Sequence, residues 1–145
     1  MKVICDTNVL VRVLLSPGGA ADALFGLLRQ SHRLITSAAQ LRELFGVISR
    51  PSIVALHKLP VGRQKRFITR LYKMADIVPL PATLPQVVPH DPKDNPIVIT
   101  AVAGLADVLC TLDRHFFHPE VVAFCTMHGV RVLRDTELLQ ELRGN

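Results

Sequence analysis

The chain has 145 residues, 49% of them hydrophobic and 20% charged, with a net charge of +5 and a pI near 9.6. That length suits one domain over residues 1–145 with a core that needs no disulfide or metal staple, and a mean hydropathy of +0.32 excludes a disordered chain. No run of about 18 uncharged apolar residues exists, and Asp6 and Arg12 interrupt the first apolar stretch, so the reading is a soluble, cytoplasmic protein with neither a membrane span nor a signal peptide.

Lys2–Cys5 is a short β-branched run of the kind buried in parallel sheets. It ends at Asp6-Thr7-Asn8, and helical spacing follows through Val9, Leu10, Val13 and Leu14. Ser16-Pro17-Gly18-Gly19 breaks the chain before an amphipathic helix over Ala20–Gln30. Arg33–Thr36 reads as a second strand, and Ser37 as the N-cap of a helix carrying Leu41, Leu44, Phe45 and Ile48, which Pro51 ends. The periodicity predicts a helix over Gly62–Ala75 and a third strand over Asp76–Leu80. Prolines 79, 81, 85, 89 and 92 then make Val78–Lys93 an irregular connection. Asn95-Pro96 has the form of a helix start, with the helix reaching about Leu105. A strand over Asp107–Leu112, a helix near Glu120–His128 closed by Gly129, a strand over Val130–Leu133 and a helix over Asp135–Leu142 complete the chain. Strands alternating with helices predict an α/β fold with an open, mainly parallel sheet covered on both faces.

Ligands of such sheets bind outside the carboxyl ends of the strands. Asp6 and Asp113 each follow a strand there, Asp94 precedes the helix leading into the second of these strands, and Glu43 falls early in the helix after Thr36. Carboxylates gathered at one rim repel one another unless a cation neutralises them or some take up protons. Hard, oxygen-liganded Mg²⁺ or Mn²⁺ is the expected cofactor, with Asp6, Asp94 and Asp113 as ligands and Asp91 in reserve. Each acid has a plainer reading too: an aspartate after a strand is a common cap, Glu43 fits a solvated position facing Arg42 or Arg50, Asp94 fits a helix cap, and Asp91 and Asp107 fit turn and strand-entry positions. Three cysteines, Cys5, Cys110 and Cys125, lie in apolar segments without a zinc spacing and read as buried thiols.

The segments Val3-Ile4-Cys5-Asp6-Thr7-Asn8-Val9-Leu10 with Ser16-Pro17-Gly18-Gly19, Asp91-Pro92-Lys93-Asp94-Asn95-Pro96, and Ala106-Asp107-Val108-Leu109-Cys110-Thr111-Leu112-Asp113 resemble, in order and spacing, the PIN-domain family. The resemblance is nearest to toxin components of bacterial toxin–antitoxin systems. It implies a three-layer α/β/α sandwich, a metal-dependent endoribonuclease, an acidic site of Asp6, Glu43, Asp94 and Asp113, and polar supports at Asn8 and Thr111. It also implies RNA as substrate, an antitoxin protein as partner and a homodimer. Family members usually carry glycine where this chain has Leu112, a side chain that narrows the approach to Asp113.

Metal-held carboxylates activate water for in-line attack on a phosphodiester; Glu43 completes the pocket and orients that water. Of the six histidines, His115 alone falls near the site, as a surface residue or a phosphate contact. Setting aside the four site acids leaves eight acids against 17 bases, so the rest of the molecule carries about +9. Arg63, Arg66, Arg70 and Lys73, at spacings of three and four opposite the apolar side of their helix, form a stripe that reads as a solvated outer face or as a nucleic-acid track. Two other functions compete. One is a PIN-like module that binds RNA or protein without turnover, supported by Leu112. The other is a magnesium-dependent phosphoryl-transfer or receiver domain, which wants a late-strand lysine that this chain lacks.

Overall fold

Alternation along the short central strands decides the architecture. In the computed structural model, which describes residues 1–87 and 95–144, β1 (Lys2–Cys5) sends Val3 and Cys5 into one core and Ile4 into another. The strand β4 (Val108–Cys110) splits the same way, Val108 and Cys110 to the first side and Leu109 to the second, as do Leu34 and Ile35 of β2 (Arg33–Thr36). A sheet buried on both faces needs a helical layer on each. The first layer holds α1 (Thr7–Leu15), α2 (Ala20–Ser31), α3 (Ala38–Ile48), α4 (Pro51–His57), α5 (Val61–Met74) and, at the chain's end, α8 (Asp135–Gly144), which packs on α2. The second holds α6 (Asn95–Ala103), a 3₁₀ turn (Arg114–Phe117) and α7 (Pro119–Met127).

With β3 (Asp76–Ile77) and β5 (Arg131–Leu133), the sheet has the order β3-β2-β1-β4-β5, and every neighbouring pair is parallel. This is the expected α/β class with a sandwich of helices about a parallel sheet. The chain winds outward from β1 to β3, then returns to start again at β4 on the other side of β1. The carboxyl ends of β1 and β4 therefore form the switch point at which open sheets bind ligands.

Two expected strands are shorter than the periodicity implies, and one helix is additional. The strand expected over Asp76–Leu80 stops at Ile77; Val78 N still donates to Thr36 O (2.8 Å), after which Pro79 and Pro81 have no amide to continue the ladder. The strand expected over Asp107–Leu112 is confined to Val108–Cys110, with the Asp107 carboxylate accepting Lys2 N at 2.7 Å as a strand-entry residue. Pro51 does end α3, but it also occupies the first turn of α4, a helix the periodicity did not announce and which closes at Lys58 with φ 58°. The helices over Ala20–Gln30 and Gly62–Ala75 match α2 and α5 to within a residue at each end. Val78–Val87 has no regular element, and the remainder of the expected connection lies outside the described residues. Asn95 ties its described part to α6: its Oδ1 accepts Val87 N (2.9 Å) and its Nδ2 donates to Pro85 O (3.1 Å). Gly104 is fixed by close approach, since a Cβ there would lie 2.7 Å from Ile35 Cδ1 and 2.8 Å from Val78 Cγ2. Among the described residues no single helix is long and apolar enough to cross a membrane.

Candidate active site

Two backbone turns at the switch point place the chemistry. Asp6 follows β1 and caps α1, and its amide donates to Cys110 O of the neighbouring strand (2.8 Å). Its side chain is buried, and both carboxylate oxygens are engaged: Oδ1 accepts Thr7 N (2.7 Å), and Oδ2 accepts the Thr111 hydroxyl (3.0 Å). That hydroxyl oxygen in turn accepts the amide of Asp113 (3.0 Å). Thr111, fully buried at the end of β4, thus ties the two aspartates to one another. Asp113 caps the 3₁₀ turn, its Oδ1 accepting His115 N (2.9 Å).

Glu43 reaches the same place from α3. Its Oε2 accepts the hydroxyl of Thr7 (3.2 Å), so the residue that binds Asp6 through its amide binds Glu43 through its side chain. Thr7 is a site residue that the sequence reading passed over. The signal was a threonine directly after the aspartate at the first helical position, where the free amide and the hydroxyl point to the same rim. Position is held from below as well: Thr36 Oγ1 donates to Gln40 Oε1 (2.6 Å), and Gln40 Nε2 donates to Cys5 O (2.6 Å), which locks the start of α3 to the end of β1.

Burial pushes the Asp6 carboxyl up to about 6, opposed by the hydrogen bonds from Thr111 and Thr7 and reinforced by the negative charges of Asp113 and Glu43. A buried carboxylate whose own bonds favour the anion, and which is still driven towards the neutral acid, is a place where a cation lowers the energy. The donors are hard oxygens, which fit Mg²⁺ or Mn²⁺. Among the described residues no three acidic, histidine or cysteine side chains converge closely enough to hold a metal by themselves. Asp94 and Asp91, expected as a ligand and its reserve, lie outside the described residues.

In front of Asp113 is a cleft of about 320 Å³ lined by Asn8, Val11, Arg12, Leu15, Leu112 and Asp113. Asn8 is exposed on the cleft wall and, among the described residues, makes no hydrogen bond to either aspartate. Leu112 occupies the wall beside Asp113 and packs against the first core. His115 Nδ1 stands 3.5 Å from Asp113 Oδ1. A larger groove of about 530 Å³ between α3 and α5 is apolar and contains none of the acids, whereas Asp113 lines the smaller cleft. Asp135, buried at the end of β5, is a further acid on this rim; its Oδ1 accepts Thr136 N (2.8 Å), the bond of a helix cap. All three cysteines are free and buried; burial pushes the Cys125 thiol up to about 11.

Asp6 and Asp113 thus stand at the switch point, linked through the Thr111 hydroxyl, with Asp113 on the wall of a cleft. A search of curated proteins returned no match. A family model described as a PIN domain matches residues 2–115, a span that runs from β1 through Asp113 and includes Asp6, Glu43, Asp94 and Asp113. PIN domains are generally nucleases. The chain belongs to the PIN-domain family.

Proposed function

We propose that this chain is an endoribonuclease dependent on Mg²⁺ or Mn²⁺, that it acts in the cytoplasm as the toxin of a toxin–antitoxin pair, and that residues 1–145 form one catalytic unit. The observation that carries the reading is the Asp6–Thr111–Asp113 linkage at the switch point, with Asp6 pushed up to about 6 by burial and by its acidic neighbours. Asp6 and Asp113 would hold the cation, with Asp94 as the third ligand. A bound Mg²⁺ or Mn²⁺ supplies positive charge to the phosphodiester and to the water that attacks it.

The remaining work belongs to the chain's own residues. Thr111 and Thr7 fix the Asp6 carboxylate through its two oxygens and leave it little freedom to rotate. Glu43, with Oε2 on Thr7, keeps Oε1 for the attacking water, which it orients and whose proton it takes. The cationic surface outside the cleft raises the local concentration of a polyanion. An antitoxin protein and a second copy of the chain are the protein partners this reading includes.

Leu112 on the cleft wall favours one rival, an RNA-binding module without turnover. Incubating the full chain with structured and single-stranded RNA, with and without millimolar Mn²⁺, decides between them. Metal-dependent cleavage that Asp113→Asn abolishes is the expected result. Binding without cleavage by either protein would establish the rival.

A further inference from the structure

The helix α5 turns three different sides to its surroundings. Gln64, Phe67 and Leu71 are buried, and Lys65, Ile68, Thr69 and Tyr72 face the apolar groove shared with α3. Arg63, Arg66, Arg70 and Lys73 are exposed on the remaining flank, next to the core side and not opposite it as the periodicity implied. That difference places them in concave surface. Arg63, Arg66 and Arg70 share a cavity of about 330 Å³ with Leu14, Leu59 and Phe67. Arg66, Arg70 and Lys73 share a second of about 460 Å³ with Thr69 and Met74. Because Arg66 and Arg70 line both, the two cavities form one trough.

Cations spaced three and four apart on a helix repel one another. Among the described residues none of these four is relieved by an ion pair; the pairs there are Arg33–Asp76, Arg131–Glu141 and His115–Asp113. Helix α1 contributes to both the trough and the cleft at Asp113. Asn8, Val11, Arg12 and Leu15 present one side of α1 to that cleft, while Leu14, a turn beyond Val11, lines the trough. Arg12 is the cation of the cleft wall, and among the described residues it too has no ion-pair partner.

We infer that the trough along α5 is a second binding site, separate from the catalytic cleft, for the phosphate backbone of an RNA whose scissile bond lies in that cleft, with Arg12 as the contact joining the two. The inference rests on the ribonuclease reading of the cleft. From Arg63 to Lys73 the helix rises about 15 Å, a length that spans several successive phosphates of one strand. Three of the four side chains are arginines, whose planar forks match phosphate oxygens in pairs. Leu14, Leu59, Phe67 and Met74 line the trough together with its cations, so an acidic protein segment is the rival occupant that the poly-glutamate probe tests.

The test measures binding by the full chain in chelator, so that nothing is cut. The probes are labelled single-stranded RNAs of about 25 and about five nucleotides and a poly-glutamate of similar charge to the longer RNA. The variants are Arg66→Gln with Arg70→Gln, the same pair changed to lysine, and a charge-matched control, Arg29→Gln with Arg143→Gln. The glutamine pair should bind the long RNA about ten- to thirtyfold more weakly than the control at 0.1 M salt, with a log–log salt slope shallower by about 1.4. The lysine pair should keep the slope, and binding of the short RNA, whose backbone also fits the trough, should weaken in the glutamine pair as well. Equal affinities in the glutamine pair and the control on both RNAs would overturn the trough. So would poly-glutamate binding that matches the long RNA and vanishes with it, since that would make this a protein-docking surface. Because binding is read without turnover, a chain that binds in this way and cuts nothing under any metal sinks the ribonuclease reading, and leaves the trough standing.

Discussion

The switch-point acids and the flank of α5 are two charged regions among the described residues, and they handle charge in opposite ways. At the switch point Asp6 is buried and Asp113 partly buried, hydroxyls and amides link the acids, and burial together with the charges of Asp113 and Glu43 pushes the Asp6 titration up. On α5 the cations are exposed, and among the described residues they pair with no acid. A buried, coupled charge changes the energy of the fold whenever it is altered, whereas a solvated charge changes mainly what the protein attracts. The cleft should therefore answer to mutation in stability, pH dependence and catalysis together. The flank should answer in affinity and salt dependence alone, with melting left almost unmoved.

The sharpest way to break this contrast is Asp6→Asn. Asparagine can still accept Thr7 N and can donate to the Thr111 oxygen, so the local fold survives while one charge of the ligand set is lost. RNA cleavage should fall by roughly a thousandfold or more. Metal-free melting at pH 8 should rise, because a buried and repelled carboxylate is gone, and the stabilisation by Mn²⁺ should shrink. Full cleavage by Asp6→Asn would remove the cleft from the mechanism.

The next effect is on stability against pH. The Asp6 carboxyl sits at about 6 in the folded chain against 3.8 as a free group. Between those values the folded state holds the proton that the unfolded state has released. Stability from this residue is thus fully present below about pH 4 and is lost as pH rises through about 6, a change of about 3 kcal/mol. Asp76 and Glu141, held low by their arginine partners, work in the opposite direction at acid pH. The measurement is accordingly the difference between metal-free wild type and Asp6→Asn in denaturant titrations from pH 4 to 8. A difference that does not grow in favour of the variant as pH rises would contradict the burial assigned to Asp6.

Thr111→Val sharpens the picture within the cleft. It keeps the shape at a fully buried position and removes the hydroxyl that serves both aspartates. Asp6 loses a bond that favours its anion, so its titration moves further up. Cleavage should drop about ten- to a hundredfold at pH 7, with the acid limb of the pH–rate profile displaced to higher pH. A lower rate with an undisplaced profile would mean that Thr111 supports the fold and not the charge.

Much of this was legible in the residues because the relevant forces are local. Period-two burial in Val3-Ile4-Cys5 and Val108-Leu109-Cys110 marks strands covered on both faces, and the acids that end them mark the rim. What escaped depends on contacts between distant segments. Nothing near Thr7 in the chain shows that its hydroxyl meets Glu43, 36 positions away. Pro51 looked like a terminator because a proline that ends one helix and a proline that opens another are the same residue type. The flank of α5 was taken as opposite the core because the wheel gives angles about one axis, while the cavity around Arg63, Arg66 and Arg70 is completed by distant residues, Leu14 and Leu59. Asp94 and Asp91 lie outside the described residues, so the third ligand stands on the family resemblance and on the cation the cleft calls for.

The smallest effect expected is also the one that separates the roles of the acids. Thr7→Val preserves β-branching at a buried position and leaves the amide that binds Asp6 Oδ1 in place. It deletes only the hydroxyl that holds Glu43 Oε2. Glu43 is exposed, so water takes over that oxygen at little expense, and its carboxylate becomes free to rotate. If Glu43 orients the attacking water, kcat should fall a few-fold, roughly 1 kcal/mol on the barrier, because a population of wrongly turned carboxylates replaces one fixed rotamer. KM, the Mn²⁺ titration and the pH–rate profile should stay as they are, since Asp6, Thr111 and Asp113 are untouched. Thr7→Ser, which restores the hydroxyl, should recover most of the rate. A shift in the Mn²⁺ titration with no change in kcat would instead make Glu43 part of the cation's own shell, and the proton of the attacking water would then need another acceptor.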